Sequence, residues 1–532
     1  MPQKIVVIGA GIGGVSFGIA LKRQLGRGFD DFVIYEKASD VGGTWRDNIY
    51  PGASSDIFMH FYSLSTDLNP DWNATHGTQP EMHAYWRKLT TKYKLYPRIV
   101  FNRLVVSAKW SPEEQLYHIV TEDVQTHEQF STTAQILISA LGVLEVPRFP
   151  DIPGLSSFKG KMFHSARWDT GVELRGKRVA VVGNGASATQ LVPLISDDPD
   201  VNITQFCRTP NWLSPPISYN YTPRWKWVFR NVPLVMRAYR IFLYLRGELL
   251  YLRVFANPTT RAEISARVTS YIRHMAPKED AERLIPDYAM GCKRLLRDTN
   301  YLQSLHKPNL RLNWDGIQSV EEDGLITKKG DKLAFDVMIF ATGFAADVYP
   351  LTVVGDAGKS VQEYYDSQSG PKAYMGSTVP GFPNFFMLVG PNTSTGHTSA
   401  ILTEEMQIAY ILKFVKPILT GEVASFTVTP RATDAYNNFI QARLSKSVFM
   451  QCASWYRAGG DAEGKVYATF PGPMMLFGSW LRVPRWKDYD VGRTKRTKGW
   501  ERRMWVERWL RWLRPAWWAG LVEGLFVRWI SS

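Results

Sequence analysis

The chain has 532 residues, 45% hydrophobic and 21% charged, with a formal net charge of +14. That length is more than one hydrophobic core supports, and the composition excludes a disordered chain. No stretch of 18 uncharged apolar residues occurs, so no membrane-spanning helix is expected.

The first residues, MPQKIVVIGAG, run directly into a glycine motif. They leave no room for a signal peptide, and the expected location is cytoplasmic. Cys207, Cys292 and Cys452 lie far apart with no paired spacing. Neither a disulfide framework nor a metal site is expected, which fits a reducing compartment. The charge is concentrated. Residues 208–261 hold nine Lys/Arg and one acid, residues 493–532 hold ten and three, and the rest of the chain is near neutral. Charge alone admits a nucleic-acid partner. No helix-turn-helix, zinc-finger or RNA-binding signature accompanies it, so no nucleic acid is expected.

In chain order, KIVVIGAGIGG is an apolar run ending in glycines, 15–25 reads as a helix, and DFVIYEK is a second apolar run ending in Glu36. This is one βαβ unit with a buried parallel sheet. The same order recurs at 178–209, and DVMIFATGF at 336–344 is a third strand running into a glycine turn. Between 211 and 290 the pattern becomes helical. Leu234, Ala238, Ile241, Leu245, Leu249 and Leu252 recur at helical spacing among scattered arginines. A helix is expected at 401–416, and the last forty residues read as helices rich in Trp and Arg.

Gly9, Gly11 and Gly14 form Gly-x-Gly-x-x-Gly, which permits a tight turn and close approach of a pyrophosphate to a helix N-terminus. Glu36 follows at the distance at which a carboxylate meets an adenosine ribose. Gly183, Gly185 and Ala188, with Ser187 in the same turn, repeat the arrangement. There the second strand ends in Arg208, and a guanidinium suits a 2′-phosphate, so NADPH is expected over NADH. Two such turns imply two cofactors, FAD at the first and a nicotinamide at the second. No Cys-x-x-Cys pair exists to receive electrons from a flavin. Oxygen is the expected acceptor.

The segment FKGKMFHSARWD, with Phe158, Gly160, His164, Trp168 and Asp169, lies between the glycine motifs. It resembles the fingerprint of Baeyer–Villiger monooxygenases, a group within the class B flavin monooxygenases. GGTWRDNIYPGASSD, FCRTPNW, GCKR, FATGF and GPNTSTGH are similar to family segments in the same order, and the resemblance covers roughly residues 1–480. It implies an α/β fold of two Rossmann-like domains. The first, for FAD, is expected at 1–150 and 345–484, and the second, for NADP, at 151–210 and 291–344. A helical insertion is expected at 211–290 and a helical tail at 485–532.

The resemblance also implies roles. Arg294 is the cation that stabilises a C4a-peroxyflavin, and Asp56 is the acid paired with it. Lys293 joins Arg208 at the 2′-phosphate. Gly42, Gly43, Thr44 and Trp45 form the flavin-side loop. His164 couples domain motion to catalysis and is not a base. His397 is expected only to fix its loop. The sequence departs from the pattern at Ser55, at Arg46-Asp47 and at Ala345, which bears on substrate shape.

The implied reaction uses NADPH and O2 to convert a ketone or aldehyde into an ester or lactone. Two alternatives stay open: an oxygenase of amine or sulfide atoms, and a non-catalytic flavoprotein serving as a binding module. In the tail, Trp505, Trp509 and Trp512 lie on one helical face and Arg503, Glu507, Arg511 and Arg514 on another. That is the pattern of a helix in a membrane interface, with a helix packed on the protein as its alternative. Peripheral membrane contact is thus expected through 493–532 and 211–261. The sequence leaves oligomeric state open.

Overall fold

In the computed structural model, which describes residues 3–26 and 28–513, the strands Gln3–Ile8 and Phe32–Tyr35 pair in parallel across the Ile12–Gln24 helix. Ile5, Val6 and Val7 are fully buried. Both faces of this strand are covered, which is why it reads as a continuous apolar run rather than an alternating one.

The sheet around it has eight strands among the described residues. Gln3–Ile8 lies between Phe32–Tyr35 and Gln129–Ser139. Thr352–Val354 and Phe385–Met387, from much later in the chain, join Arg103–Ser111 and Gln129–Ser139. A second, five-stranded sheet is wholly parallel. Its order is Leu310–Asn313, Asn202–Phe206, Arg178–Val182, Val337–Phe340, Lys161–His164. The helix Ala186–Ile195 follows its central strand. This mixed α/β architecture is the expected fold class. The helix expected at 401–416 spans Ala400–Leu419.

Residues 223–275 form three α-helices, Pro223–Asn231, Val235–Leu250 and Pro258–Met275, with a π-helical turn at Tyr251–Ala256 between the last two. Two begin with proline behind the N-caps Thr222 and Asn257, whose side chains accept the first free N–H groups. The apolar stripe of the middle helix faces outward. Leu234, Ile241, Leu245 and Leu249 are exposed, and the inward face carries Arg240, Leu243, Gly247 and Glu248.

Two expectations are overturned. The tail from 485 is not wholly helical. Tyr489–Arg493 is a strand antiparallel to Val423–Val428, and Trp500, in the first turn of the Thr497–Leu513 helix, is buried against Phe426 and Trp486. Five residues with Tyr489 turned into an aromatic cluster are too short for a periodicity argument to detect. Trp505 is exposed and Arg503 pairs with Glu422. Of the other expected interfacial groups, Arg514 lies outside the described residues, and the side chains of Glu507, Trp509, Arg511 and Trp512 are not among those the structure describes. The second correction concerns cysteine. Cys292 and Cys452 form a disulfide with Cα atoms 6.1 Å apart. Their 160-residue separation hides the pair from any spacing rule, and the cysteine argument for a reducing compartment falls with it. Cys207 is free and buried, and burial pushes its thiol up to about 12.

Candidate active site

Gly9 leaves its strand at φ +97°, where a Cβ would meet the Ala140 carbonyl oxygen at 2.9 Å. At Gly14 a Cβ would fall 1.9 Å from the Gly9 carbonyl oxygen. These two positions tolerate no side chain. The backbones of Gly11 and Gly43 also approach closely, since a Cβ on Gly43 would lie 2.9 Å from the Gly11 Cα. Thr44 and Trp45 open the short helix behind Gly43, and Trp45 is buried with its indole N–H donating to the Tyr62 hydroxyl at 3.3 Å. Glu36 accepts from the backbone N–H of Ala10 at 2.6 Å and of Ala38 at 2.9 Å. Burial raises its pKa, and these bonds oppose the rise.

The second turn is its counterpart. Gly183 has φ +110°, with Ala341 oxygen 2.6 Å from the Cβ position, and Ala188 is fully buried. The space above Gly185 is open, with nothing within 4 Å of a Cβ there. Neither the Gly11 nor the Gly185 helix start has a side-chain cap, so both leave N–H groups for an anion. The Tyr50 hydroxyl donates to Gln190 Oε1 at 2.8 Å, on the helix that this turn begins. Beside this turn stand two cations. Arg208 is exposed, and Lys293 donates to Thr209 Oγ1 at 2.9 Å. Burial and the nearby Arg208 charge lower the Lys293 pKa. The residues therefore fit two dinucleotides, one of them carrying an additional anionic group beside Arg208.

Between the two turns, Arg294 Nε donates to Asp56 Oδ2 at 2.9 Å, and its Nη2 reaches the same oxygen. Residues 238 positions apart are thus one ion pair, joining the segment after the first turn to the loop after the second. Burial pushes the Asp56 carboxyl up, but the charge and hydrogen bonds of Arg294 and the charge of Arg297 outweigh it and hold the group below its ordinary range. The Asp56 charge in turn raises Arg294. The Arg294 side chain keeps 44% of its surface exposed. It is a permanently charged donor with unsaturated capacity facing the space between the turns.

The fingerprint lies elsewhere. Gly160 is required because a Cβ would sit 2.5 Å from the Asp336 oxygen and from the Phe158 ring. His164 ends the edge strand of the second sheet, and its Nδ1 accepts the Ala166 N–H at 3.1 Å between the rings of Phe149 and Phe344. Burial lowers its pKa to about 4. It is neutral at physiological pH. Trp168 packs edge-on against Phe163, and Asp169 accepts the Gly171 N–H at 2.9 Å. A cavity of about 420 Å³ separates Ala166, Arg167 and Trp168 from Lys37, Ala38 and Asp47. The fingerprint therefore faces the Glu36 end of the first site, not the Arg294–Asp56 pair. His397 is buried against Tyr251 and Phe255 and lowered to about 3 by burial.

Sequence reasoning missed four residues near the pair. Arg297 donates to the Ser55 carbonyl at 3.2 Å and shares the field of Asp56. Tyr62 and Tyr456 feel the charges of both partners. Only Arg297 had a local signal, three residues after Arg294. The fourth, Glu404, is buried with one oxygen 3.3 Å from the Cβ position of Gly13 and the other unpartnered. Burial, with the neighbouring Glu405 charge, raises it from 4.5 to about 8. The unfolded chain releases this proton first, so stability falls as pH rises from about 4.5 to about 8 and levels above that. Glu404→Gln is expected to remove that part of the slope. Melting temperatures measured across the range check it, and an unchanged slope would mean that Glu404 is ionised in the fold.

A family model described as flavin-binding monooxygenase-like matches residues 2–223. A Baeyer-Villiger monooxygenase of Pseudomonas aeruginosa is 37% identical over 460 residues, covering 85% of this chain and 85% of its own. One from Streptomyces coelicolor is 34% identical over 495 residues, 92% of each chain. Among solved structures, the closed form of cyclohexanone monooxygenase matches with a TM-score of 0.81 at 24% identity, covering 93% of this chain and all of that one. An oxidized steroid monooxygenase bound to NADP matches with a TM-score of 0.78 at 25% identity over the same shares. With two glycine turns, an arginine–aspartate pair between them and a third of its residues shared along most of its length, this chain belongs to the Baeyer–Villiger monooxygenase family.

Proposed function

We propose that the chain binds FAD at the first glycine turn and NADPH at the second, and inserts one atom of O2 next to the carbonyl carbon of a ketone or aldehyde. The other oxygen atom leaves as water, and the product is an ester or lactone. The observation that carries this reading is the Arg294–Asp56 pair, open to the cleft between the two turns. FAD, when bound, supplies two-electron transfer from NADPH and the activation of oxygen.

The chain's own residues supply the setting. Arg294 offers a fixed positive charge to the negative charge that develops near the flavin, and Asp56 orients the guanidinium. Gly11, Gly43 and Gly14 allow the backbone to approach a pyrophosphate, and Glu36 stands where a ribose would meet it. Gly183, Gly185, Ser187 and Ala188 form the second cradle, with Arg208 and Lys293 as partners for a 2′-phosphate. Trp45, Tyr62 and Tyr456 wall the cleft with aromatic surface, which keeps bulk water from the reacting atoms. The fingerprint residues Phe158, Gly160, His164, Trp168 and Asp169 hold the edge of the second sheet against the first unit. Neutral His164 serves there as a positioning group, its Nδ1 accepting the Ala166 N–H.

Incubation with NADPH, O2 and a panel of linear, cyclic, aromatic and bulky ketones tests the reading, with a thioether and an amine beside them. Ketone products heavier by one oxygen atom are expected. Oxygenation of the thioether or amine alone would replace this reaction with heteroatom oxygenation. A yellow protein with no NADPH-dependent oxygen uptake would make it a binding module.

No helix among the described residues is long and apolar enough to cross a membrane. A cytoplasmic enzyme in peripheral membrane contact through 211–261 and 493–532 completes the proposal, supported by the outward apolar face of the Val235–Leu250 helix.

A further inference from the structure

We infer that the outer face of the Pro223–Asn231 and Val235–Leu250 helices docks on an anionic lipid bilayer. The inner face of the second helix then hands an apolar carbonyl compound from that bilayer to the Arg294–Asp56 site. The hand-off rests on the carbonyl reading above; the docking surface does not.

Leu234, Ile241, Phe242, Leu245 and Leu249 are each between 51% and 73% exposed. They lie at helical spacing on one side. The neighbouring helix adds Trp225 and Trp227, both more than half exposed. The two helices are joined by a run of ring contacts, Trp225–Phe229, Phe229–Tyr239 and Tyr239–Phe242, at 5.6 to 6.3 Å. The result is one continuous apolar patch, not scattered residues. A patch of this kind on a folded chain marks an interaction surface.

The charges around it choose the partner. Arg224 and Arg237 are exposed on these two helices and Arg253 on the Tyr251–Ala256 turn that follows them, and none has an acidic partner within ion-pair distance among the described residues. Arg230 pairs with Asp71 and Arg240 with Glu405, while Arg246 lies over the Phe58 ring. Arg237 precedes Ile241 and Leu245 at four-residue spacing, so it flanks the apolar stripe. Glu248 is the only acid within 208–261 and faces inward. Aromatic and aliphatic groups bordered by unpaired cations suit the acyl boundary and the anionic headgroups above it. A second copy fits poorly, because a two-fold contact through this face would set its arginines against their own copies with no acid between them.

The inner face of the Val235–Leu250 helix packs on the walls of the site. Gly247 lies so close to the loop after Thr395 that a Cβ would meet the His397 oxygen at 2.9 Å. Arg240 donates to the carbonyls of His60, Phe61 and Ser63, Tyr244 packs on Phe61, and Arg246 covers the Phe58 ring. Those residues follow Asp56 directly. One helix thus has the bilayer on its outside and the segment carrying the site's carboxylate on its inside.

The test is flotation of the full-length, FAD-loaded enzyme with phosphatidylcholine vesicles, with and without phosphatidylserine, at low and high salt. Binding to the phosphatidylserine vesicles at low salt is expected, weakened by salt. The double substitution Ile241→Glu and Leu245→Glu should reduce binding by more than ten-fold. Arg224→Gln and Arg237→Gln should each reduce it about five-fold. Oxidation of a short, water-soluble ketone should be unchanged in these variants. Oxidation of a long-chain ketone delivered in the vesicles should fall with binding. Absence of flotation, or flotation undiminished by the double glutamate variant, overturns the docking surface. So does a dimer that dissociates in that variant, which would make the face a contact between copies. Vesicle binding by an enzyme that oxidises no soluble ketone overturns the hand-off and the carbonyl reading, and leaves the docking surface standing.

Discussion

Arg294→Ala is expected to consume NADPH at close to the normal rate while its yield of oxygenated product falls roughly 10²- to 10³-fold. Among the described residues the Arg294 guanidinium is the only cation hydrogen-bonded to the Asp56 carboxylate. Removing it takes away the fixed donor toward developing negative charge, and a mobile water in its place is not held in orientation as the guanidinium is. It also leaves Asp56 with burial unopposed by its main partner, so the carboxyl rises toward its neutral form. Hydride transfer depends on how NADPH is held, and Arg208 and Lys293 remain. The electrons then leave as hydrogen peroxide. Product and peroxide measured per NADPH consumed decide the matter. An unchanged product yield removes Arg294 from the chemistry. Arg294→Lys keeps a charge but loses the fork on Asp56, and intermediate yields are expected from it.

Arg208→Ala is expected to shrink the preference for NADPH over NADH by roughly 10- to 150-fold, the worth of about 1.5–3 kcal/mol in charge-assisted bonds. Arg208 follows the Asn202–Phe206 strand of its unit, as Glu36 follows the Phe32–Tyr35 strand of the first. On the proposed assignment the two cofactor sites differ by a sign of charge at one position. Burial lowers Lys293, and the Arg208 charge lowers it further, so the two cations stand in mutual repulsion until an anion is placed between them. Because Lys293 survives in the variant, the loss should be partial, and adding Lys293→Ala should deepen it. The ratio of kcat/KM for the two nucleotides reads this directly. A ratio that does not move means that the 2′-phosphate is held elsewhere.

The parts of this molecule that could be read from its sequence share a physical reason. A parallel strand buried on both faces must be an unbroken apolar run, and the turn after it must use glycine where a Cβ has no room, as at Gly9, Gly14 and Gly183. These constraints are local, so both dinucleotide turns and most strand and helix positions were legible. The Arg294–Asp56 pair was not local, and only resemblance brought its members together. Helical spacing identified the stripe from Leu234 to Leu249 but not its direction. Periodicity defines a face without saying whether protein or solvent lies against it. Tyr489–Arg493 is held as a strand by an aromatic cluster contributed from Phe414 and Phe426, far away in sequence. Tyr456 reaches the site through the same kind of distant packing. Glu404 gave no signal, since an acid on an amphipathic helix ordinarily faces water.

The bond between Cys292 and Cys452 turns the stretch between them into a covalent ring. Closing a ring of this size removes chain entropy worth about 5 kcal/mol from the unfolded ensemble in the loop-closure view. The ring includes strands of both sheets, Leu310–Asn313 and Val337–Phe340 of one and Thr352–Val354 and Phe385–Met387 of the other. A single backbone cut anywhere within it would leave the pieces tied together. The clasp also closes two residues before Arg294 and four before Tyr456. The guanidinium and the phenol beside it are therefore carried on opposite ends of one short cross-link, so neither can drift far from the other even when the surrounding secondary structure loosens.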